Sequence, residues 1–197
     1  MVERRYGKDH YNFKGNHFEL MGDKYVGVDF KGNKFIVDKE DYEIVSQYTW
    51  TSAKGRDAKK GSYFYTRKSR RDGHKAMMLH NFIWITHNGE IPNGKRVDHI
   101  DKCPWNCSLS NLRLATKGEN SINTNLIANN TSGVTGVSWE RRKQRWRAYG
   151  NVNGKRIELG VFQDLQEAVL TRLKFEQEFY QEFAPQRHLF KEYGIEV

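Results

Sequence analysis

The sequence predicts an α+β fold in two modules, a small mixed N-terminal domain followed by a three-stranded sheet backed by one helix. Three observations carry this expectation. Val97 to Asn120 reads VDHIDKCPWNCSLSNLRLATKGEN, two short apolar segments around a turn-rich loop, then a helix start. Gly133 to Phe183 holds three stretches that alternate with period two and then one with helical spacing. Between them, Ser121 to Ser132 has four Asn, two Thr, two Ser and no charge, the composition of an extended linker. The expected divisions are 1–120 with its core at 76–120, a linker at 121–132, a second module at 133–184 and a tail at 185–197.

At 197 residues the chain has room for one domain or two small ones. A hydrophobic content of 37% with five Trp, ten Tyr and eleven Phe suffices for small cores. The net charge of +9 points to an anionic partner, of which nucleic acid is the commonest. The charge is clustered. Lys54 to Lys75 holds nine Lys and Arg against Asp57 and Asp72, and Gly133 to Gly160 holds seven against Glu140 and Glu158. Arg67 and Arg70 in the first cluster, and Arg141 and Lys155 in the second, are candidate phosphate contacts. Two cysteines, Cys103 and Cys107, are too few for a disulfide framework and lack a second pair with zinc-finger spacing. No apolar run approaches a membrane span, so a soluble, cytoplasmic protein is expected.

In chain order, Met1 to Asn16 has no period and reads as a loose arm. Phe18 to Leu20 and Tyr25 to Phe30 read as strands, and the Lys31-Gly32-Asn33 turn leads to a third, Lys34 to Val37. Asp38 is the expected N-cap of a short helix reaching about Tyr48. Trp50 and Tyr63-Phe64-Tyr65 suggest a further strand pair across a basic loop. Ala76 to Leu79 leads into a helix from His80 to about His87. After the linker, strands are expected at 137–141, 145–152 and 156–159, with Asn153-Gly154 a tight hairpin turn. Alternation puts Trp146, Ala148, Gly150 and Val152 on one face with Ile157 and Leu159, and Arg145, Arg147, Tyr149 and Asn151 on the other. A helix from Gln163 or Asp164, with Ala168, Leu173, Phe175 and Phe179, covers the apolar face. The tail from Pro185 shows amphipathic hints only.

The stretch from Val97 carries the chemistry. Asp98 and His99 end the first strand, Asn111 opens the second, and Asn120 sits on a helix that Thr116 and Glu119 start with a capping box. A hard cation such as Mg²⁺ or Mn²⁺ takes oxygen ligands and keeps waters, so Asp98 and Asn120 are a plausible protein share. A neutral His99 can take a proton from an attacking water. Asn111 can fix the loop or orient the imidazole. Adjacent strand residues face opposite sides, so Asp98 and His99 share a site only at a bent strand end.

This stretch resembles the ββα-metal motif of HNH endonucleases, above all phage and intron homing enzymes with a V-D-H-I-[DN] start and an S-N-L-R second strand. The resemblance implies His99 as general base, Asp98 and Asn120 as ligands of one divalent metal, and Asn111 as the residue that orients His99. Met78-Leu79-His80 matches the family's Leu-His element, which makes His80 a further candidate for phosphate contact or support. Asn81 stands where an Arg is usual, and Lys102-Cys103-Pro104-Trp105 replaces the usual Gly-Asn loop. GVSWERRKQRWRAYGNVNGKRIELGVF and the following helix resemble the APETALA-two-type domain of plant ethylene-response factors, which implies that Arg145, Arg147, Tyr149 and Arg156 face DNA. The expectation is a site-specific endonuclease or nickase on double-stranded DNA, monomeric or dimeric. The alternatives are a non-catalytic DNA-binding regulator and a restriction or defence nuclease.

Overall fold

A computed structural model describes residues 15–54, 62–66, 76–123, 126 and 129–196. The N-terminal arm expected before residue 15, the basic loop at 55–61, the basic run at 67–75 with Arg67 and Arg70, and parts of the linker lie outside the described residues. Chain contacts divide the protein into two units, one ending at Leu114 and one beginning at Ala115.

The first unit begins with an antiparallel meander of β1 (His17–Met21), β2 (Lys24–Val28) and β3 (Lys34–Asp38), in the order β1-β2-β3. The β2–β3 turn is closed by Asp29, whose carboxylate accepts from the backbone N–H of Lys31, Asn33 and Ser52, each at 2.9 Å. Burial alone would raise the Asp29 pKa, but the Ser52, Asn33 and Lys31 donors outweigh it and hold the carboxyl below its ordinary value. On β2, Gly27 lies flat against the Phe35 ring, where a Cβ would approach to 2.2 Å. Phe35 and Val37 thus enter a core shared with Val45, Trp50, Phe64, Leu79, Ile83, Val97, Cys107 and Leu112.

The expected Asp38-capped helix is replaced by a 3₁₀ turn, Lys39–Asp41, and one α-helical turn, α1 (Tyr42–Val45). Asp38 caps nothing because its carboxylate is engaged elsewhere, by the Lys24 ammonium and by the Leu109 N–H at 2.7 Å. β4 (Thr51–Lys54), β5 (Ser62–Thr66) and β6 (Met77–Met78) form a second antiparallel sheet. α2 (Leu79–Asn88) follows, then β7 (Lys95–His99) pairs with β8 (Leu112–Thr116). The β7–β8 loop docks on the outer edge of β3. The Ile36 N–H donates to Trp105 O and the Cys107 N–H donates to Ile36 O, both at 2.9 Å.

The second unit opens with α3 (Lys117–Ile122), whose capping box at Thr116 and Glu119 forms as expected. β9 (Val137–Glu140), β10 (Arg145–Val152) and β11 (Lys155–Phe162) make an antiparallel sheet in the order β11-β10-β9. A register shift between Ala148 and Tyr149 extends β11 beyond the expected end. α4 (Leu165–Phe179), capped by Asp164, covers one face of this sheet. It sits close because Gly150 has no side chain, and a Cβ there would meet the Phe175 ring at 2.1 Å. Phe179 and Ile157, expected on the covered face, are exposed, since the helix has ended at Phe179 and Ile157 lies near the β10–β11 turn.

The tail folds back into this core. Gln186, Phe190 and Ile195 are buried, and the Glu176 carboxylate, fully enclosed, joins Arg172 at 2.9 Å and accepts from the Gln186 N–H at 3.0 Å. The Arg172 Nε also donates to Thr135 O at 2.8 Å. No helix among the described residues is long and apolar enough to cross a membrane.

Two stability outcomes follow from these buried carboxylates. Asp29→Ala, measured by urea denaturation at pH 7, should cost about 2–3 kcal/mol through lost charge-assisted hydrogen bonds. Because the native pKa of Asp29 is depressed, its contribution is present above the unfolded value of 3.8 and is lost as pH falls through the native value. Wild type and variant should therefore converge in acid. Glu176→Ala should destabilise the second unit by about 3–5 kcal/mol, because it leaves Arg172 buried without its counter-charge.

Candidate active site

The β7–β8 loop is held shut by one amide and one carboxylate. The Asn111 Nδ2 donates to Asp101 Oδ1 at 2.9 Å and to Asn106 O at 2.8 Å, while its Oδ1 accepts from the Asp101 N–H at 3.0 Å. Asp101 also accepts from the Cys103 N–H at 2.8 Å and from Asn106 Nδ2 at 2.7 Å. The Ile100 N–H donates to Asn111 O at 2.9 Å, which ties the end of β7 to the start of β8. These contacts tie Asn111 into the loop. Lys102 takes a positive φ of 66° where the chain turns.

His99 ends β7 and is 5% exposed. Three side chains from three different segments surround its ring. His80, on the first turn of α2, lies edge-on with ring centroids 4.9 Å apart, and Tyr63 of β5 lies edge-on at 5.9 Å. The Cys107 Sγ, brought in by the docking on β3, is 4.0 Å from His99 Nε2. Burial lowers the His99 pKa to about 4, against a small upward pull from Asp101. Burial and the neighbouring His99 lower His80 to about 3, and its Nδ1 has no partner among the described residues. Burial raises the Cys107 thiol, so it is a protonated filler rather than a thiolate. At neutral pH burial therefore keeps the His99 imidazole uncharged.

Asp98, one residue earlier, is 7% exposed. Its Oδ2 accepts from the Arg113 Nε and Nη2, each at 3.1 Å, across the β7–β8 pair. The two side chains share a neighbour in Tyr63, whose phenol is raised by burial and by the Asp98 charge. Asn120 lies on α3, in the second unit, and is half-buried. Among the described residues no group of three or more His, Cys, Asp or Glu side chains forms a metal cage.

The exposed face of the second unit's sheet carries the other candidates. Arg147 donates from Nε and Nη2 to the two oxygens of Glu158, at 2.6 and 2.5 Å. The Arg156 Nε is 3.2 Å from the same carboxylate, and its guanidinium stacks on Tyr149 at 3.5 Å from the ring centroid. Arg145 stands opposite Glu140 in register, Arg141 is exposed in the β9–β10 turn, and Lys155 is exposed at the start of β11. Sequence reasoning missed Tyr63, Arg113, Cys107 and Glu158 as members of these sites. Arg113 alone had a local signal, since it closes the S-N-L-R strand.

The chain is similar to several known proteins. Residues 77–122, from β6 to the end of α3, match the model of the HNH endonuclease family. The chain is 39% identical over 118 residues to protein 3.8 of Escherichia phage T7, an alignment covering 60% of this chain and 97% of the phage protein. It is 36% identical over 109 residues to an uncharacterised HNH endonuclease of Acanthamoeba polyphaga mimivirus, covering 55% of this chain and 52% of that protein. It is also 35% identical over 66 residues to the uncharacterised gene 5.3 protein of Enterobacteria phage T3, covering 33% of this chain and 65% of the relative. No solved structure matches. The chain thus belongs to the family of phage T7 protein 3.8, and its residues 77–122 constitute an HNH endonuclease domain.

Proposed function

We propose that this protein is a site-specific endonuclease that hydrolyses double-stranded DNA, with His99 as the general base. The observation that carries the reading is the neutral, caged imidazole of His99 next to the buried carboxylate of Asp98, inside the HNH-matched stretch. His99 takes the proton from the attacking water, and its Nε2 rests 4.0 Å from the Cys107 sulfur. The cage of His80, Tyr63 and Cys107 fixes the ring and excludes competing water from its sides.

The donor set suits a hard divalent cation. Asp98 offers a carboxylate, a hard oxygen donor, whose Oδ2 also accepts from Arg113. Asn120 enters as a second oxygen ligand on its sequence match. Mg²⁺ or Mn²⁺, when bound, supplies charge neutralisation at the phosphate and the leaving oxygen. Arg113 holds the Asp98 carboxylate in one orientation, and Asn111 with Asp101 holds the loop that delivers Cys107. The basic sheet of the second unit, with Arg145, Arg147, Tyr149 and Arg156 on its exposed face, binds the duplex in an APETALA-two-like manner, aided by Arg141 and Lys155. One HNH unit per chain makes a nick the elementary product, as a homing or related mobile-element enzyme would generate.

The test is cleavage of supercoiled plasmid carrying the locus around the gene, with Mg²⁺ or Mn²⁺ and a chelator control. Metal-dependent open circles are expected from the wild type, and His99→Ala should cut about 10²–10⁴-fold more slowly while binding the plasmid as before. Cleavage by His99→Ala at the wild-type rate would refute the general-base assignment. Salt-sensitive binding without cleavage under either metal would indicate a DNA-binding regulator instead.

A further inference from the structure

The exposed sheet of the second unit is not a plain phosphate clamp, because a carboxylate sits in the middle of its arginines. Glu158 is directly opposite Tyr149 in the β10–β11 pairing and joins both Arg147 and Arg156. A surface built to grip phosphate alone gains nothing from an anion at its centre, since that anion repels the backbone it approaches. The carboxylate therefore needs another reason to be there, and the hydrogen-bond geometry supplies one.

A guanidinium is planar and carries five N–H donors on distinct edges. Arg147 commits one edge, Nε with Nη2, to the two oxygens of Glu158. The far edge, formed by Nη1 and the second Nη2 proton, keeps two parallel donors, which is the pattern that matches O6 and N7 of guanine in the major groove. Arg156 is restrained twice, by Glu158 at its Nε and by the Tyr149 ring beneath its plane. Two flexible side chains are thus held as oriented forks before any ligand arrives, which lowers the ordering cost of reading a base. Beside them, Glu140, Lys143, Arg147, Glu158, Gly160 and Val161 line an open depression of about 320 Å³. Val161, paired with Arg147 across the strands, is half exposed on that floor.

We propose that Glu158 is a specificity-determining residue that buttresses Arg147 and Arg156 for reading guanine in the major groove, and that it weakens binding to arbitrary DNA. This rests on the reading that the sheet contacts DNA. Glu158 is then a positioning residue, acting through the arginines rather than on the phosphodiester.

The experiment is selection of the full-length protein, wild type and Glu158→Gln, on a random-sequence duplex library with fixed flanks, read by sequencing. Salt titrations on one unselected duplex accompany it. Wild type should enrich a motif with guanine at one or two positions near the sheet's footprint. Glu158→Gln should retain its fold by circular dichroism and lose roughly 5- to 100-fold of discrimination for guanine at those positions. It should bind the unselected duplex a few-fold more tightly at low salt. An unchanged motif with unchanged guanine preference, or no guanine enriched by wild type, would overturn the proposal. The double variant Arg147→Ala with Arg156→Ala separates the two levels. If it binds the unselected duplex with wild-type affinity and salt dependence, the sheet is not the DNA surface and the underlying reading falls as well.

Discussion

Everything at the candidate active site depends on closing one loop. Between β7 and β8 the chain makes a turn of a dozen residues whose backbone would otherwise move freely. Asn111 and Asp101 close it from inside through reciprocal amide and carboxylate hydrogen bonds. β3 closes it from outside by lending its Ile36 N–H and C=O to Trp105 and Cys107. Loop closure costs conformational entropy, and here the cost is offset by hydrogen bonds to a charged group and by burial of Cys107 in the core. The N-terminal meander is thus structurally part of the site, because its edge strand positions the thiol against which His99 rests.

The same closure produces the electrostatics. A histidine ring under Tyr63, His80 and Cys107 is poorly solvated, so its charged form is disfavoured and the neutral acceptor prevails. Asp98 is equally buried, and its Oδ2 lies 3.1 Å from the Arg113 Nη2 across the strand pair. Tyr63 links the two residues, since its ring lies 5.9 Å from the His99 ring and the Asp98 charge helps to raise its phenol. The second unit uses charge in the opposite setting. There Arg147, Arg156 and Glu158 are solvent-exposed, and their value lies in orientation rather than in stability.

Local signals were legible in the sequence, and long-range ones were not. The Thr116–Glu119 capping box, the Asn153-Gly154 hairpin and the alternation along β10 each depend on a few consecutive residues, and each was read from them. Asp98 and His99 stood out because they sit in a stretch that resembles the HNH motif. Most of the cage around His99 was hidden, since Tyr63 comes from a separate strand and Cys107 is brought in by docking on β3, so both meet the ring only through tertiary packing. Asp38 looked like a helix cap by its place in the chain, and Lys24 with Leu109 claimed its carboxylate instead. The tail was misread for a related reason. Its buried residues 186, 190 and 195 follow no period, and a buried carboxylate, Glu176, accepts from the Gln186 N–H on a helix face where charge ordinarily signals solvent.

The central claim is that His99 is a caged, neutral imidazole ready to accept a proton. The most direct measurement is an NMR titration of the histidine ring carbons in the folded protein, with the His99 signal assigned by its loss in a His99→Gln variant. The account predicts a midpoint displaced far below the ordinary 6.5, to about 4, with the protein still folded through that range. A midpoint near 6.5 would mean a solvated ring outside the cage, and would contradict the arrangement on which the proposed chemistry rests.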